Sequence, residues 1–376
     1  MRGKWIYPVI AVGVVLRAVV LVATWGHGGD DLRIYFYFSD LALHGHNPYR
    51  ASAAGAIPPS FADNPPLHML LNAGVLSIWA SKEALRVLFL IADALVLCFV
   101  ASWPNLRHRT AIVTFLALNP FTMMAWYALA EDKPLVLLLF LGCVLAAQRR
   151  RFMAAATWAG VLTAYKIVGV FALPPLLLER QNSSRRLFMG AIAAGITAVA
   201  FIPWFPRNLD VILSHRGART RLSPIHSSPM ILLHDVGLYR PVVANALLVL
   251  GLLVVYGLHA WQRITVVDAL VLSQLAAYYG GPDLPPNRIL LACLPLLFVI
   301  NLTPARWATI WGASVLAAAS TATSAHHARP LTRLFGTDSS TTHAVWMLLL
   351  PLSLLTMLAV DRWHKDAGSL EAPAPG

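Results

Sequence analysis

Residues 83–102 read EALRVLFLIADALVLCFVAS, residues 111–129 read AIVTFLALNPFTMMAWYAL, and residues 134–148 read PLVLLLFLGCVLAAQ, closed by Arg149-Arg150-Arg151. Three apolar runs stand in close succession, separated first by a stretch holding Arg107 and Arg109 and then by Ala130-Glu131-Asp132-Lys133. A helix needs about 20 mostly apolar residues to cross a bilayer, and helices joined by turns this short must run back and forth. The stretch therefore predicts an all-α fold, a polytopic transmembrane helical bundle.

Similar runs occur at roughly 5–25, 67–80, 154–178, 187–204, 241–260, 264–281, 289–303, 307–324 and 344–360. Together they predict about 10–12 membrane segments, with short interfacial helices in the first outer loop. Composition agrees. Of 376 residues 58% are hydrophobic and only 12% charged, and the mean hydropathy is +0.64. A soluble domain carries about 25% charged residues, so lipid must cover much of this apolar surface. The net charge of +12 is spread over short loops, as anchors for anionic headgroups, and nothing resembles a nucleic-acid-binding module. Cys98, Cys143 and Cys293 lie inside apolar runs without CxxC spacing, which argues against disulfides and zinc.

Basic residues assign sides, because short cytoplasmic loops are rich in Lys and Arg. Arg107 and Arg109, the Arg149 triplet, Arg180, Arg185 and Arg186, Arg263, Arg306, Arg362 and Lys365 would face inward. The run after Met1-Arg-Gly-Lys4 then reads as a retained first span. Loops 26–66, 130–133, 205–240, 282–288 and 325–343 fall outside. Segment 154–178 starts and ends beside inward clusters, which predicts a hairpin of two short helices around Tyr165-Lys166. The run 67–80 reads as a re-entrant or interfacial segment, or equally as a tilted span. The organisation expected is one membrane domain over 1–366 and a disordered tail over 367–376.

Several polar groups stand out. Asp30 and Asp31 follow the first span, where a carboxylate can act as a general base toward a hydroxyl. An Asp ahead of Leu32–Leu41 is also a helix-start signal, and by residue type alone that is the simpler account. Glu131, Asp132 and Lys133 read as a solvated turn or as substrate contacts. Lys166 is isolated in an apolar run, where an ionisable group usually faces a cavity or a partner. Arg17 and Asp93, of opposite sign and similar depth, predict a buried structural ion pair. Outer loop 205–240 holds Arg207, Arg216, Arg219, Arg221 and Arg240 against Asp210 and Asp235, a patch suited either to a substrate phosphate or to anionic lipid.

Taken in order, Arg17, Gly29-Asp30-Asp31-Leu-Arg-Ile-Tyr35, Gly45-x-Asn-Pro-Tyr49, Asn64-Pro65-Pro66-Leu67, Asp93, Asn119-Pro120, Glu131-Asp132-Lys133 and Lys166 resemble the GT-C superfamily of polyprenol-phosphate-sugar-dependent glycosyltransferases. The closest likeness is to the GPI mannosyltransferase I catalytic subunit and related bacterial mannosyltransferases. It covers about residues 10–180, while Gly281-x-x-x-Pro-Pro-Asn-Arg288 loosely resembles the family's late outer loop.

The resemblance implies a membrane enzyme, a mannosyltransferase by preference, with its site on the extracytoplasmic face of a bacterial plasma membrane. It would move a sugar with inversion from a polyprenyl-phosphate donor to a lipid-linked or glycan acceptor. Asp31, with Asp30 beside it, takes the position of the catalytic base. Glu131, Asp132, Lys133, Lys166, Arg219, Arg221 and Arg288 take substrate-binding positions. The family's D-x-D falls here on Gly29-Asp30-Asp31, which breaks a chelating spacing. No metal ligand and no cofactor is therefore expected, the need for a divalent ion being left open. The competing readings are a lipid or sugar transporter and a non-catalytic assembly subunit. A transporter should show two related halves with polar groups at the midplane, and no internal repeat is visible.

Overall fold

The computed structural model describes residues 5–26, 30–50, 64–104, 106–128, 130–219, 225–226, 230–280, 283–284, 286–324 and 340–370. The fold is all-α. Its only strand pairing among these residues is a two-residue parallel contact, Ile225–His226 with Asp283–Leu284. Among the described residues five helices are long and apolar enough to cross a membrane: Ile6–Ala23, Lys82–Ala101, Ser183–Trp204, Pro241–Ala260 and Val345–Trp363. Shorter apolar helices of 10–17 residues fill the space between them.

Helix α1 (Ile6–Ala23) is followed by α2 (Asp30–Leu43). Helix α3 (Pro66–Leu76) has 11 residues, too few to cross the hydrocarbon core. The run 67–80 is thus a short helix laid under α2. Leu32 and Tyr35 of α2 pack with Leu76 and with Leu85 and Phe89 of α4 (Lys82–Ala101). Phe38 packs with Met69, Tyr49 and Phe201. The apolar faces of these two short helices therefore fix α2, and Asp31 with it, on top of the bundle.

The run 111–129 is not one continuous α-helix. Helix α5 (Arg109–Leu118) stops at Asn119. There the Asn119 side chain accepts from the Phe121 amide and starts α6 (Pro120–Thr122), which passes into a π-helical turn over Met123–Ala128. Proline is the cause: it has no N–H to continue the ladder and disfavours helical geometry at the residue before it.

That break leaves carbonyls at the end of α5 short of donors, and Arg17 supplies them. Its guanidinium donates to the Leu116 and Ala117 carbonyls and pairs with Asp93 of α4. The approach depends on Gly13, where a Cβ would lie 2.7 Å from the Ala117 Cβ and 2.8 Å from its carbonyl oxygen.

Helix α7 (Lys133–Gln148) is apolar on nearly every side and buried accordingly, with Val136, Phe140, Leu141 and Val144 at its heart. Helix α8 (Phe152–Tyr165) packs on it and ends at Lys166. A 3-10 stretch over Ile167–Ala172 and α9 (Leu173–Leu178) then return. Phe152 and Leu178 line the same cavity, so the chain folds back to the level at which it set out.

Next come α10 (Ser183–Phe201), α11 (Arg207–Arg219) and α12 (Met230–Asp235), the last two within the basic stretch 205–240. In α13 (Pro241–Ala260) Leu247, Val249, Leu250, Leu253 and Val254 are exposed, a face for lipid. Helices α14 (Val266–Tyr279), α15 (Pro286–Cys293), α16 (Pro304–Ser324) and α17 (Ser340–Leu370) complete the bundle. Of the expected tail, 367–370 are helical in backbone and 371–376 lie outside the described residues.

Candidate active site

Asp31 lies in the first turn of α2 with its side chain half-buried and hydrogen-bonded to Glu131. Tyr35, one turn later, points the same way, its hydroxyl 3.4 Å from Glu131 Oε2 and 3.3 Å from Asp132 Oδ1. Residues i and i+4 of a helix share a face, so the docking of α2 delivers both groups to one place.

The turn before α7 is not solvated. Glu131, Asp132 and Lys133 keep 4%, 0% and 2% of their surfaces exposed. Lys133 Nζ donates to Glu131 Oε2 at 2.7 Å and to Asp132 Oδ1 at 2.8 Å. From the break after α8, Lys166 Nζ donates to Asp132 Oδ2 at 3.0 Å and to Asn64 Oδ1 at 2.7 Å. Asp132 thus joins two lysines, and His68 Nε2 of α3 stands 3.4 Å from its second oxygen. The His68 ring is wedged between Tyr35 and Tyr165, at centroid distances of 4.7 and 5.1 Å. In the Lys166–Asp132 pair the lysine side chain retains 19% exposure and the aspartate none, so the ammonium is the accessible partner.

The two carboxyls at the centre are driven apart in acidity. At Asp31 burial pushes upward, but Lys133, the hydrogen bond from Glu131, Arg288 and Lys166 outweigh it and hold the group below its ordinary value. At Glu131 burial prevails over the attraction of Lys133, with Asp31 and Asp132 adding repulsion, and the carboxyl is raised to about 8. Asp132 is held well below the carboxylate range because Lys133 and Lys166 overcome the cost of its burial. The two hydrogen-bonded carboxyls are thus shifted in opposite directions, Glu131 upward and Asp31 downward. Such a split between neighbouring carboxyls is the pattern that separates acid and base roles. Three cations, Lys133, Lys166 and Arg288, gather around these carboxyls, and the accessible Lys166 ammonium is placed to meet an anion.

The structure brings Asp31, Glu131, Asp132, Lys133, Lys166 and Arg288 into one cluster. Arg288 is half-buried in the first turn of α15 and acts electrostatically on both Asp31 and Lys133. The pairing of Ile225–His226 with Asp283–Leu284 brings the basic loop to the segment that precedes Arg288. The side chains of Asp30 and Arg219, and all of Arg221, lie outside the described residues. Arg17 and Asp93 form their ion pair within the bundle, on other elements than this cluster.

Tyr35, Asn64 and Tyr165, which the quoted stretches contain without a role assigned to them, and His68, which they do not contain, complete the cluster. Two signals were present: Tyr35 is four residues from Asp31, and His68 interrupts an otherwise apolar helix. Among the described residues no group of three or more His, Cys, Asp and Glu is placed to hold a metal ion.

An apolar groove runs between α8 and α10. Its cavity, about 770 Å³, is lined by Thr163 and Ile167, on either side of Lys166 in the chain, then by Val170, Ala194, Thr197, Ala198 and Ile202. Val170, Ile202, Phe205 and Leu209 at its margin are exposed, so the groove opens onto the lipid-facing side.

No protein-family model and no curated protein matches the sequence. Among solved structures, the crystal structure of ArnT from Cupriavidus metallidurans bound to undecaprenyl phosphate is similar, with 16% identity and a TM-score of 0.48 over 96% of this chain and 79% of that one.

Proposed function

We propose that the protein is a membrane glycosyltransferase that moves one sugar from a polyprenyl-phosphate donor to an acceptor hydroxyl, with inversion. The observation that carries this reading is Asp31, hydrogen-bonded to Glu131 and held below its ordinary acidity range by Lys133, Arg288 and Lys166, with an apolar groove lined by Thr163 and Ile167 near Lys166 in the chain. An amphiphile with a phosphate at one end and a prenyl chain behind it fits that arrangement. Lys166 meets the phosphate and the groove takes the chain.

Asp31 accepts the acceptor's proton as its oxygen bonds to the anomeric carbon. The bond from that carbon to the phosphate oxygen breaks on the opposite face, and the polyprenyl phosphate leaves with the electron pair. Lys133, Lys166 and Arg288 stabilise the charge that grows on it. Asp132 orients the two lysines. Mannose as the sugar, a lipid-linked or cell-envelope glycan as acceptor, and an extracytoplasmic site are the finer terms, and they rest on the resemblance of the ordered motifs.

The test is turnover of a short-chain polyprenyl-phosphate sugar by the full-length protein and by Asp31→Asn. Transfer should fall by about a hundredfold or more, the scale of general base catalysis, with donor binding retained. Asp30→Asn should cost less. An Asp31→Asn protein that turns over normally would refute the assignment of the base. Failure of the wild type to release polyprenyl phosphate, with or without acceptor, would favour a transporter or an assembly subunit.

A further inference from the structure

At the other end of the bundle a second polar region is left unused by this chemistry. Helix α7 runs from Lys133 in the carboxylate cluster to Gln148, and α8 from Phe152 to Tyr165. At 1.5 Å per residue the two ends lie roughly 20 Å apart along these helices. Two cavities of about 610 and 570 Å³ meet there, sharing Arg107, Gln148, Phe298, Val299 and Arg362 in their walls.

The larger cavity adds Arg150 and Arg180, the smaller Arg306. Three acids face them and all are engaged. Asp268 pairs with Arg362, Asp361 with Arg306 at 2.6 Å, and Glu179 stands 3.5 Å from His259 Nε2. Arg180 faces the carboxamide of Gln262. Among the described residues no acid lies within ion-pair distance of Arg107 or Arg150, and the buried Nε of Arg362 has no hydrogen-bond partner. Two guanidinium groups with no acid partner among the described residues, joined by the unsatisfied Nε of Arg362, converge on this cavity and call for an anion with several oxygens.

Two further observations select the kind of anion. The walls between the arginines are apolar, with Phe152, Leu178, Val266 and Phe298. Trp261 and Trp363, each next in sequence to a lining residue, are 77% and 76% exposed. Exposed tryptophans of this kind mark the headgroup level of a bilayer.

We propose that this double cavity is a lipid site, distinct from the catalytic groove, that holds the phosphate of an anionic phospholipid between Arg107, Arg150 and Arg362 with its acyl chains along the apolar wall. The proposal does not depend on the activity assigned to the opposite end.

The experiment is native mass spectrometry of the full-length protein in uncharged detergent, titrated with phosphatidylglycerol or phosphatidylcholine. The wild type should retain phosphatidylglycerol selectively. Arg107→Gln with Arg150→Gln should weaken retention roughly thirtyfold, the loss expected for two cations at an anionic headgroup. The matched control is Arg149→Gln with Arg185→Gln, two exposed arginines of the same end that line neither cavity. The control should bind as the wild type does. Arg150→Gln alone, a change at an exposed side chain, should give an intermediate loss and serves if the double variant folds poorly. Equal weakening in test and control variants would show general surface attraction and overturn the proposal. Inorganic phosphate binding as well as the lipid would overturn the lipid assignment in favour of a soluble anion.

Discussion

Replacing Arg17 and Asp93 together with leucine should not restore wild-type stability, although each charge would be removed with its partner. Exchanging a buried ion pair for apolar groups is often neutral in soluble proteins, whereas stranding one member costs about 3–5 kcal/mol. Here the guanidinium has a second task. Pro120 has no N–H to give the Leu116 carbonyl, and the Phe121 amide, which would serve the Ala117 carbonyl, is held by Asn119 Oδ1 at 2.9 Å. Arg17 donates to both carbonyls and also, at 3.1 Å, to the Gly13 carbonyl one turn back in its own helix. An unsatisfied buried acceptor costs about 1–3 kcal/mol, so two of them put the double variant about 2–6 kcal/mol below the wild type. Asp93→Leu alone strands the guanidinium charge but keeps the carbonyls served. Arg17→Leu alone strands the carboxylate and the carbonyls together, and should be the worst of the three. Thermal unfolding of detergent-purified protein, followed by loss of the monodisperse peak, ranks the variants. A double variant as stable as the wild type would show that the carbonyls at the Pro120 break find other donors, and the account of Arg17 would fail.

Three further outcomes follow from the carboxylate cluster and its groove. Transfer should fall as pH rises through about 8, because Glu131 then loses the proton it donates to Asp31 and two charged carboxylates face each other. Glu131→Gln should abolish that alkaline fall in a pH–rate profile, and an unchanged profile would contradict the shared proton. The same group bears on stability. Its folded pKa is raised above its ordinary value of 4.5, so its contribution is full below that value and lost as pH climbs to about 8. Lys166→Met should raise the apparent affinity constant for donor and slow departure of the phosphate, while Lys166→Arg keeps a charge in place and retains part of the activity; donor kinetics unchanged in both would move the phosphate to Arg288. Ala194→Phe should fill the groove and weaken long-chain donors more than short-chain ones, and equal effects on both would show that the chain lies elsewhere.

What could be read from residues alone was what depends on depth in a membrane. A charge inside an apolar run has few places to go, so Arg17, Asp93 and Lys166 each announce a partner. The same logic fails at Glu131-Asp132-Lys133, where the spacing of two apolar runs is satisfied equally by a wet turn and by a buried one. Burial there is decided by α2 and α3, short helices that lie over the turn and close it from above. Neither crosses the membrane, so neither leaves a hydropathy signal strong enough to place it. Their placement instead follows from side-chain fit, Leu32 and Tyr35 against Leu76, Leu85 and Phe89. His68 escaped notice for the same reason: on an 11-residue helix a single histidine reads as a tolerated polar group until the helix is set over Asp132. The acidity of the site depends on that placement too. Without the lid of α2 and α3, Glu131 would be hydrated and ionised at neutral pH, and Asp31 would have no protonated neighbour to hold its charge in position. The two short helices therefore supply more than a base. They exclude the water that would otherwise make the two carboxyls alike.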